Sequence, residues 1–186
     1  VTKSVVAKVH KAFDLPLIAS KKRERGKREQ KTSGKLSGWG HLVEMCTPAD
    51  STLGRVAREY KDVKIMRVTQ DMDVLNDLFF QRLCAEVKTK PGTCLHASLP
   101  CTPWSQWQSM ALHKYGAPYA RDLQKRRAVS RKMLSRFIYL AEIVLKQGGE
   151  VSFEWPRFCS GWRLPELINF IVKWDLYTCA VDGCAS

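Results

Sequence analysis

Short apolar runs alternate with longer amphipathic stretches from residue 41 onward, and this alternation constrains the fold more than any other feature of the chain. Runs rich in apolar and β-branched residues predict strands at 41–45, 63–69, 93–99, 150–154 and 177–181. Apolar residues at helical spacing predict helices at 51–60, 74–87, 121–146 and 164–174. Such alternation is typical of an α/β domain, so we predict a mainly parallel sheet of about five strands with flanking helices.

Positive charge is concentrated before the first predicted strand. The 186 residues contain 31 Lys and Arg against 18 Asp and Glu, and residues 1–40 alone hold 11 basic and 3 acidic side chains. We therefore interpret 1–40 as a basic N-terminal arm or linker and 41–186 as the α/β domain. A basic run includes Lys21, Lys22, Arg23 and Arg25, which favours a nucleic-acid partner, whereas a solvated surface loop is the alternative.

The composition also bears on where the chain works. No apolar run is long enough to span a membrane and the start has no secretory signal pattern, so no membrane partner is expected. Seven cysteines, an odd count, favour unpaired thiols in a reducing intracellular compartment, with nucleus, cytoplasm and organelle interior all open. The cysteines include no Cys-x-x-Cys pair, so no metal site is expected.

Reactive and polar residues lie at the ends of predicted strands. A thiol, Cys101, follows the third strand, and a carboxylate, Glu154, ends the fourth. Ligands of open α/β sheets bind beyond the carboxyl ends of the strands. The two side chains are thus a candidate nucleophile and acid facing one crevice.

These residues resemble a known family. A strand followed by Pro100-Cys101 and Ser105, then a long helix, then a strand with Phe153-Glu154-x-Pro156 is similar to the core of the DNA (cytosine-5) methyltransferases. In that family a Pro-Cys loop supplies the nucleophile and a Glu on the next strand contacts the target base. The resemblance covers residues 41–184 and implies a methyltransferase, Rossmann-like core with Cys101 and Glu154 as the catalytic pair.

The same resemblance implies an S-adenosylmethionine site at the first strand and its turn. The residues that it assigns to the cofactor are Glu44, Cys46, Asp50, Ser51, Asp71 and Pro100. The family carries Phe-x-Gly-x-Gly in this turn, whereas residues 46–50 of this chain contain no glycine.

Nucleic-acid contacts are also predicted on the long helix and in the loop before it. The candidates there are Arg126, Arg127, Arg131 and Trp104, which join the arm residues named above. Aromatic side chains in a basic loop stack on unpaired bases, although packing of Trp104 at the sheet edge is the alternative.

Two functions of different class follow. The first is an S-adenosylmethionine-dependent methyltransferase-like domain acting on or binding nucleic acid, of cytosine-5 type if active. The second is a non-catalytic nucleic-acid-binding component of a larger, ribonucleoprotein-like assembly, with other protein chains as partners; the Gly-poor turn favours it. A hydrolase using Cys101 with His96 or His113 is a third reading, but nothing nearby specifies an oxyanion site.

Overall fold

A computed structural model describes residues 4–8, 40–60, 62–69 and 72–181. Its strands are β1 (Ser4–Lys8), β2 (His41–Met45), β3 (Lys64–Val68), β4 (Cys94–Ala97), β5 (Glu150–Pro156) and β6 (Tyr177–Val181). Its helices are α1 (Thr52–Ala57), α2 (Asp77–Lys88), α3 (Trp107–Lys146) and α4 (Pro165–Lys173). Two 3₁₀ turns cover Thr102–Trp104 and Ser160–Arg163.

The strands form one sheet in the order β3-β2-β4-β5-β1-β6. Strands β3, β2, β4 and β5 are parallel neighbours, and β1 is antiparallel to both β5 and β6. The predicted α/β class, with a mainly parallel sheet and flanking helices, is confirmed. The parallel part has four strands rather than about five, because the last predicted strand, Tyr177–Val181, pairs with antiparallel β1 instead of β5.

Strand β1 lies inside the segment that the sequence assigned to the arm. Its register places Ser4 opposite Pro156 of β5 and Val181 of β6, so it occupies the space between those two strands. Residues 9–39, which include the predicted contacts Lys21, Lys22, Arg23 and Arg25, lie outside the described residues. The division at residue 40 and the binding role of the basic run stay predictions.

The main core lies between the sheet and the helices α2, α3 and α4. Along each strand, the side chains that point toward these helices alternate with side chains on the opposite face of the sheet, as a pleated strand requires. The buried members from β2, β4 and β5 are Val43, Met45, Leu95, Ala97, Val151, Phe153 and Trp155. Phe137 of α3 connects the layers, since its ring centroid lies 5.0 Å from Phe153 and 6.1 Å from Phe170 of α4.

The helix ends agree with the sequence signals at two places and depart from them at one. Ser51 caps α1 as predicted, and the predicted stop of α3 at Gly148 has the positive φ, 73°, that favours glycine. Helix α3 begins at Trp107 instead of residue 121 and bends at Gly116, whose φ is 62°. Pro118 follows this bend, so the segment 107–115, which the prediction left out, is separated from the rest of α3 by a residue with non-helical backbone.

The connections between the parallel strands indicate where on the sheet a ligand-binding crevice is expected. From β2 the chain passes through α1 to β3 on one side, then returns through α2 to β4 on the other side of β2. The order of the strands therefore reverses between β2 and β4. Ligands of open α/β sheets bind outside the carboxyl ends of the strands at such a switch point.

Candidate functional site

Cys101 lies four residues after the carboxyl end of β4, and Glu154 lies inside β5, two residues before its carboxyl end. Ala97, the last residue of β4, pairs in register with Phe153, so Glu154 is just beyond the last paired position of these two parallel strands. It still pairs with Val6 of antiparallel β1. Both Cys101 and Glu154 are half-buried. The structure thus brings the predicted nucleophile and acid to one edge of the sheet, next to the switch point.

The loop that carries Cys101 is tied to its surroundings through Trp104. The indole Nε1 donates to Ser130 Oγ of α3 at 2.7 Å, and Ser160 Oγ donates to the Trp104 carbonyl at 2.8 Å. Arg127 donates through Nε to the Pro103 carbonyl at 3.1 Å, with its guanidinium 5.1 Å from the Trp104 ring centroid. Trp104 is only 7% exposed, so most of its ring packs within the protein, and its stacking on a base stays a prediction.

At the end of β2, the predicted cofactor residues Glu44 and Ser51 bind each other. The Glu44 carboxylate is 0% exposed, and Ser51 Oγ lies 2.6 Å and 2.8 Å from its two oxygens. Ser51 Oγ also accepts from the Gly54 amide at 3.0 Å, which caps α1. Arg67 of β3 donates through Nε to Glu44 at 3.2 Å and through Nη1 to the Ala49 carbonyl at 2.7 Å. The ion pair stabilises a carboxylate that would otherwise be buried without compensation.

Gly54 permits this close packing. A Cβ built at residue 54 would lie less than 3.0 Å from the ends of both the Arg67 and Glu44 side chains. The sequence analysis missed Arg67 and Gly54, because β3 gives no sign of which strand it pairs with. Only the register, with Glu44 opposite Arg67, brings the two charges together.

The other residues predicted to hold the cofactor differ in their surroundings. Cys46 directly follows β2, has a φ of 60° and is half-buried, and burial raises the pKa of its thiol to about 11. Asp50 and Pro100 are exposed, and Asp71 lies outside the described residues. Beside Cys46, the buried hydroxyl of Thr47 has no hydrogen-bond partner in the described part of the chain.

On the opposite face of the sheet, three polar side chains form a row whose alignment the sequence did not predict. His96 of β4 stands in register between Glu44 of β2 and Ser152 of β5, and its Nδ1 lies 2.8 Å from Ser152 Oγ. Burial lowers the pKa of His96, although the nearby carboxylates of Glu154 and Glu44 act to raise it. The imidazole next to Glu154 is therefore held in its neutral form near pH 7.

A second thiol lies near Cys101. Cys159 follows β5, is buried in the main core cluster, and Cys101 packs against the same cluster. Burial raises the pKa of Cys159 to about 11, and the proximity of Cys101 raises it further. Cys159 consequently stays protonated at neutral pH, which makes it a poor nucleophile.

A cleft of about 880 Å³ opens at the same edge of the sheet, between the start of α3 and the residues that follow β5. Its lining includes Trp107, Arg127, Arg157, Phe158, Trp162 and Arg163. No carboxylate is among the lining residues.

Ion pairs with nearby carboxylates neutralise part of the positive charge that was predicted for one face of α3. Arg126 pairs with Asp122 at 2.8 Å, and Arg131 binds both carboxylate oxygens of Glu166 at 2.7 Å and 3.1 Å. Of the three arginines predicted on this helix to contact nucleic acid, only Arg127 lines the cleft.

Comparisons with known proteins add no identification: no protein-family model, curated protein or solved structure matches the chain. Within the described ranges, no three His, Cys, Asp or Glu side chains come together in a way that could hold a metal ion. None of the helices described is both long and apolar enough to cross a lipid bilayer.

Proposed function

We propose that this chain is an S-adenosylmethionine-dependent methyltransferase-like domain that acts on cytosine in nucleic acid through Cys101 and Glu154. The observation that supports the proposal is their placement at the carboxyl ends of the adjacent parallel strands β4 and β5, at the edge where open α/β sheets bind ligands. The basic, carboxylate-free cleft at the same edge supports an anionic substrate.

In this mechanism the chain's own side chains activate the base. The Cys101 thiolate adds to C6 of cytosine, which makes C5 carbanion-like. Protonated Glu154 donates a hydrogen bond to N3 and stabilises the charge that develops on the ring. A base in a duplex must leave the stack to reach these groups, whereas an unpaired base need not.

The end of β2 is where the cofactor would bind, and the residues there fit the role in part. At the switch point lie the exposed carboxylate of Asp50 and the buried hydroxyl of Thr47, which has no hydrogen-bond partner among the residues that the structure describes. Glu44 and Ser51 instead stabilise the turn through contacts within the protein, because they bind Arg67 and the start of α1. When bound, S-adenosylmethionine would supply the methyl group.

Covalent trapping tests the chemistry. With S-adenosylmethionine and an oligonucleotide containing 5-fluorocytosine, the wild-type chain should form an adduct that survives denaturing electrophoresis, and Cys101→Ser should form none. Thr102→Ala, an exposed neighbour in the same turn, is the matched control and should trap normally. An adduct that persists in Cys101→Ser would exclude Cys101 as the nucleophile.

Glu154 is tested on the same substrate by the rate of adduct formation. Glu154→Gln should lower that rate by about 100-fold, the usual scale for removing one donor to developing charge. Glu150→Gln changes a half-buried carboxylate on the same face of β5 and should leave the rate close to that of the wild type. Equal rates for the two variants would remove Glu154 from the mechanism.

The second candidate is a nucleic-acid-binding domain without catalysis. It is favoured by the closed Glu44–Ser51–Arg67 cluster, which occupies the turn with protein side chains. Calorimetric titration with S-adenosylmethionine distinguishes the two functions. A folded chain that releases no heat with the cofactor and forms no adduct, yet binds oligonucleotides, belongs to this second class.

A further inference from the structure

Two large aromatic side chains stand in solvent at the rim of the cleft. Trp107, the first residue of α3, is 73% exposed, and Phe158, two residues after β5, is 67% exposed. Both rings line the cleft. Large aromatic surfaces left in water beside a concave site are a mark of ligand binding, because their burial would be favourable.

The charges around these rings indicate what kind of ligand fits. Arg157 lies with its guanidinium 5.5 Å from the Phe158 ring centroid, and Arg163 lines the same cleft. Both arginines are exposed, and neither forms an ion pair with any carboxylate of the described residues. A ligand here therefore meets cationic groups that are not already neutralised.

The floor of the cleft is closely packed. Trp162 donates through Nε1 to the Pro156 carbonyl at 3.0 Å, and its ring packs edge-on to Phe153 and Trp155 at centroid distances of 5.5 Å and 5.9 Å. Gly161 lies against the Trp155 ring so closely that a Cβ there would overlap it. The rim residues therefore lie next to a floor that is part of the packed core.

The surface continues beyond Trp107. A second recess of about 620 Å³ shares Trp107, Ser109 and Met110 with the cleft and adds His113 and Lys114. This recess also has no carboxylate in its lining. Trp107 therefore stands between two adjoining recesses, which suits an extended ligand better than a compact one.

We propose that this surface binds an unpaired stretch of nucleic acid, with bases stacked on Trp107 and Phe158 and phosphates paired with Arg157 and Arg163. Every nucleobase has a flat face that stacks on an aromatic ring, and arginine pairs with phosphate. The carboxylates of an acidic peptide would pair with the arginines but would not stack on the two rings. The inference rests on the proposed function for the class of substrate, and it adds that the substrate is single-stranded at the cleft.

The test measures the affinity of the full chain for fluorescein-labelled 12-mers of oligo(dT), oligo(U) and a 12-base-pair duplex by fluorescence anisotropy. Trp107→Ala and Phe158→Ala should each raise the dissociation constant for a single strand by roughly 5-fold to 100-fold, the scale of one base–aromatic stack. The same substitutions should change duplex affinity less than about twofold, because paired bases do not reach the rings. Comparison of the affinities for oligo(dT) and oligo(U) shows whether the surface prefers single-stranded DNA or single-stranded RNA.

The salt dependence tests the arginines. Arg157→Gln with Arg163→Gln should lower the slope of log affinity against log salt by about 1.4, since a single-strand phosphate contact contributes about 0.7. The matched controls are Arg55→Gln with Arg58→Gln, and Tyr60→Ala, all exposed residues outside the cleft. These controls should leave both the slope and the affinity unchanged.

Single-strand binding that is insensitive to both aromatic substitutions would overturn the inference, and so would equal losses on single strands and duplex. Polyglutamate, a polyanion without aromatic rings, serves as the competitor. If it displaces the oligonucleotide equally well from the wild-type chain and from Trp107→Ala, the cleft is a simple anion site and the inference is wrong. The wild-type chain could also bind single strands through Trp107 and Phe158 yet form no adduct with 5-fluorocytosine. That result would count against the proposed chemistry and not against this binding surface.

Discussion

Glu44 is a carboxylate near the end of a buried parallel strand, where an apolar side chain is the rule. Its environment explains the exception, because Arg67 and Ser51 supply the partners that a buried charge requires. The residue resembles a ligand-binding acid in the sequence, yet in the structure it holds the turn after β2. A buried carboxylate near a strand end is therefore weak evidence for a cofactor contact until its partners are known.

The packing at Gly54 leads to a stability prediction. Gly54→Ala should lower the free energy of unfolding by about 1–3 kcal/mol, because the new methyl group would displace the paired ends of Arg67 and Glu44. Urea unfolding followed by circular dichroism measures the change. Gly40→Ala is the control, since a Cβ there meets nothing within 4 Å, and it should change stability by less than about 0.5 kcal/mol. A Gly54→Ala variant as stable as the control would show that the ion pair rearranges without cost.

The cysteines show how far residue identity alone can mislead. Seven thiols are present in the sequence, and nothing local to Cys46 or Cys159 marks them as inert. Burial distinguishes them, since it raises the pKa of each to about 11 and so keeps both protonated at neutral pH. Their reactivity could not be predicted from spacing, because burial depends on packing between distant segments.

At the scale of elements, the loop between β4 and α3 is held by contacts that connect three segments. Trp104 receives support from Ser130 on α3 and from Ser160 after β5. The loop therefore presents Cys101 on a fixed support instead of a mobile one. This arrangement suits a nucleophile, which must be held close to its reacting geometry.

This support is tested by Ser130→Ala. Removing the hydroxyl leaves the buried Trp104 Nε1 without its acceptor, so the free energy of unfolding should fall by about 1–3 kcal/mol. Ser135→Ala is the matched control on the same helix, because Ser135 is exposed and bonds only to the Arg131 carbonyl one turn earlier. Chemical denaturation of both variants gives the comparison, and equal stabilities would mean that water replaces Ser130 in the bond.

For the whole molecule, the unexpected feature is β1, which lies between β5 and β6. Without it, the backbone groups of two strands would lose their partners. The first residues of the chain thus complete the sheet instead of belonging only to an arm.

Deletion tests this role directly. Removal of residues 1–8 should lower the free energy of unfolding by on the order of 5 kcal/mol, because a five-residue strand loses its hydrogen bonds to two neighbours. Removal of residues 1–3, which precede β1, should leave stability nearly unchanged. Urea titrations of the two truncated chains decide the matter. Equal stability of both would show that β1 contributes little to the sheet.

The type and order of most elements were predictable from the sequence, because hydrophobic periodicity and helix caps act over a few neighbouring residues. Those local signals identified the strands of the parallel sheet, the Ser51 cap, and the positions of Cys101 after β4 and of Glu154 near the end of β5. They missed the first part of α3, which precedes the non-helical residue Gly116 and Pro118.

The tertiary structure alone decided which distant residues meet. The pairing of Glu44 with Arg67 depends on strand register, and the insertion of β1 depends on unpaired strand edges more than 140 residues away. The cleft likewise joins Trp107 to Phe158, two positions that share no local pattern in the chain. Register and packing arise from the whole fold, so the partners of each side chain, and with them burial and pKa, follow from the structure and not from local sequence.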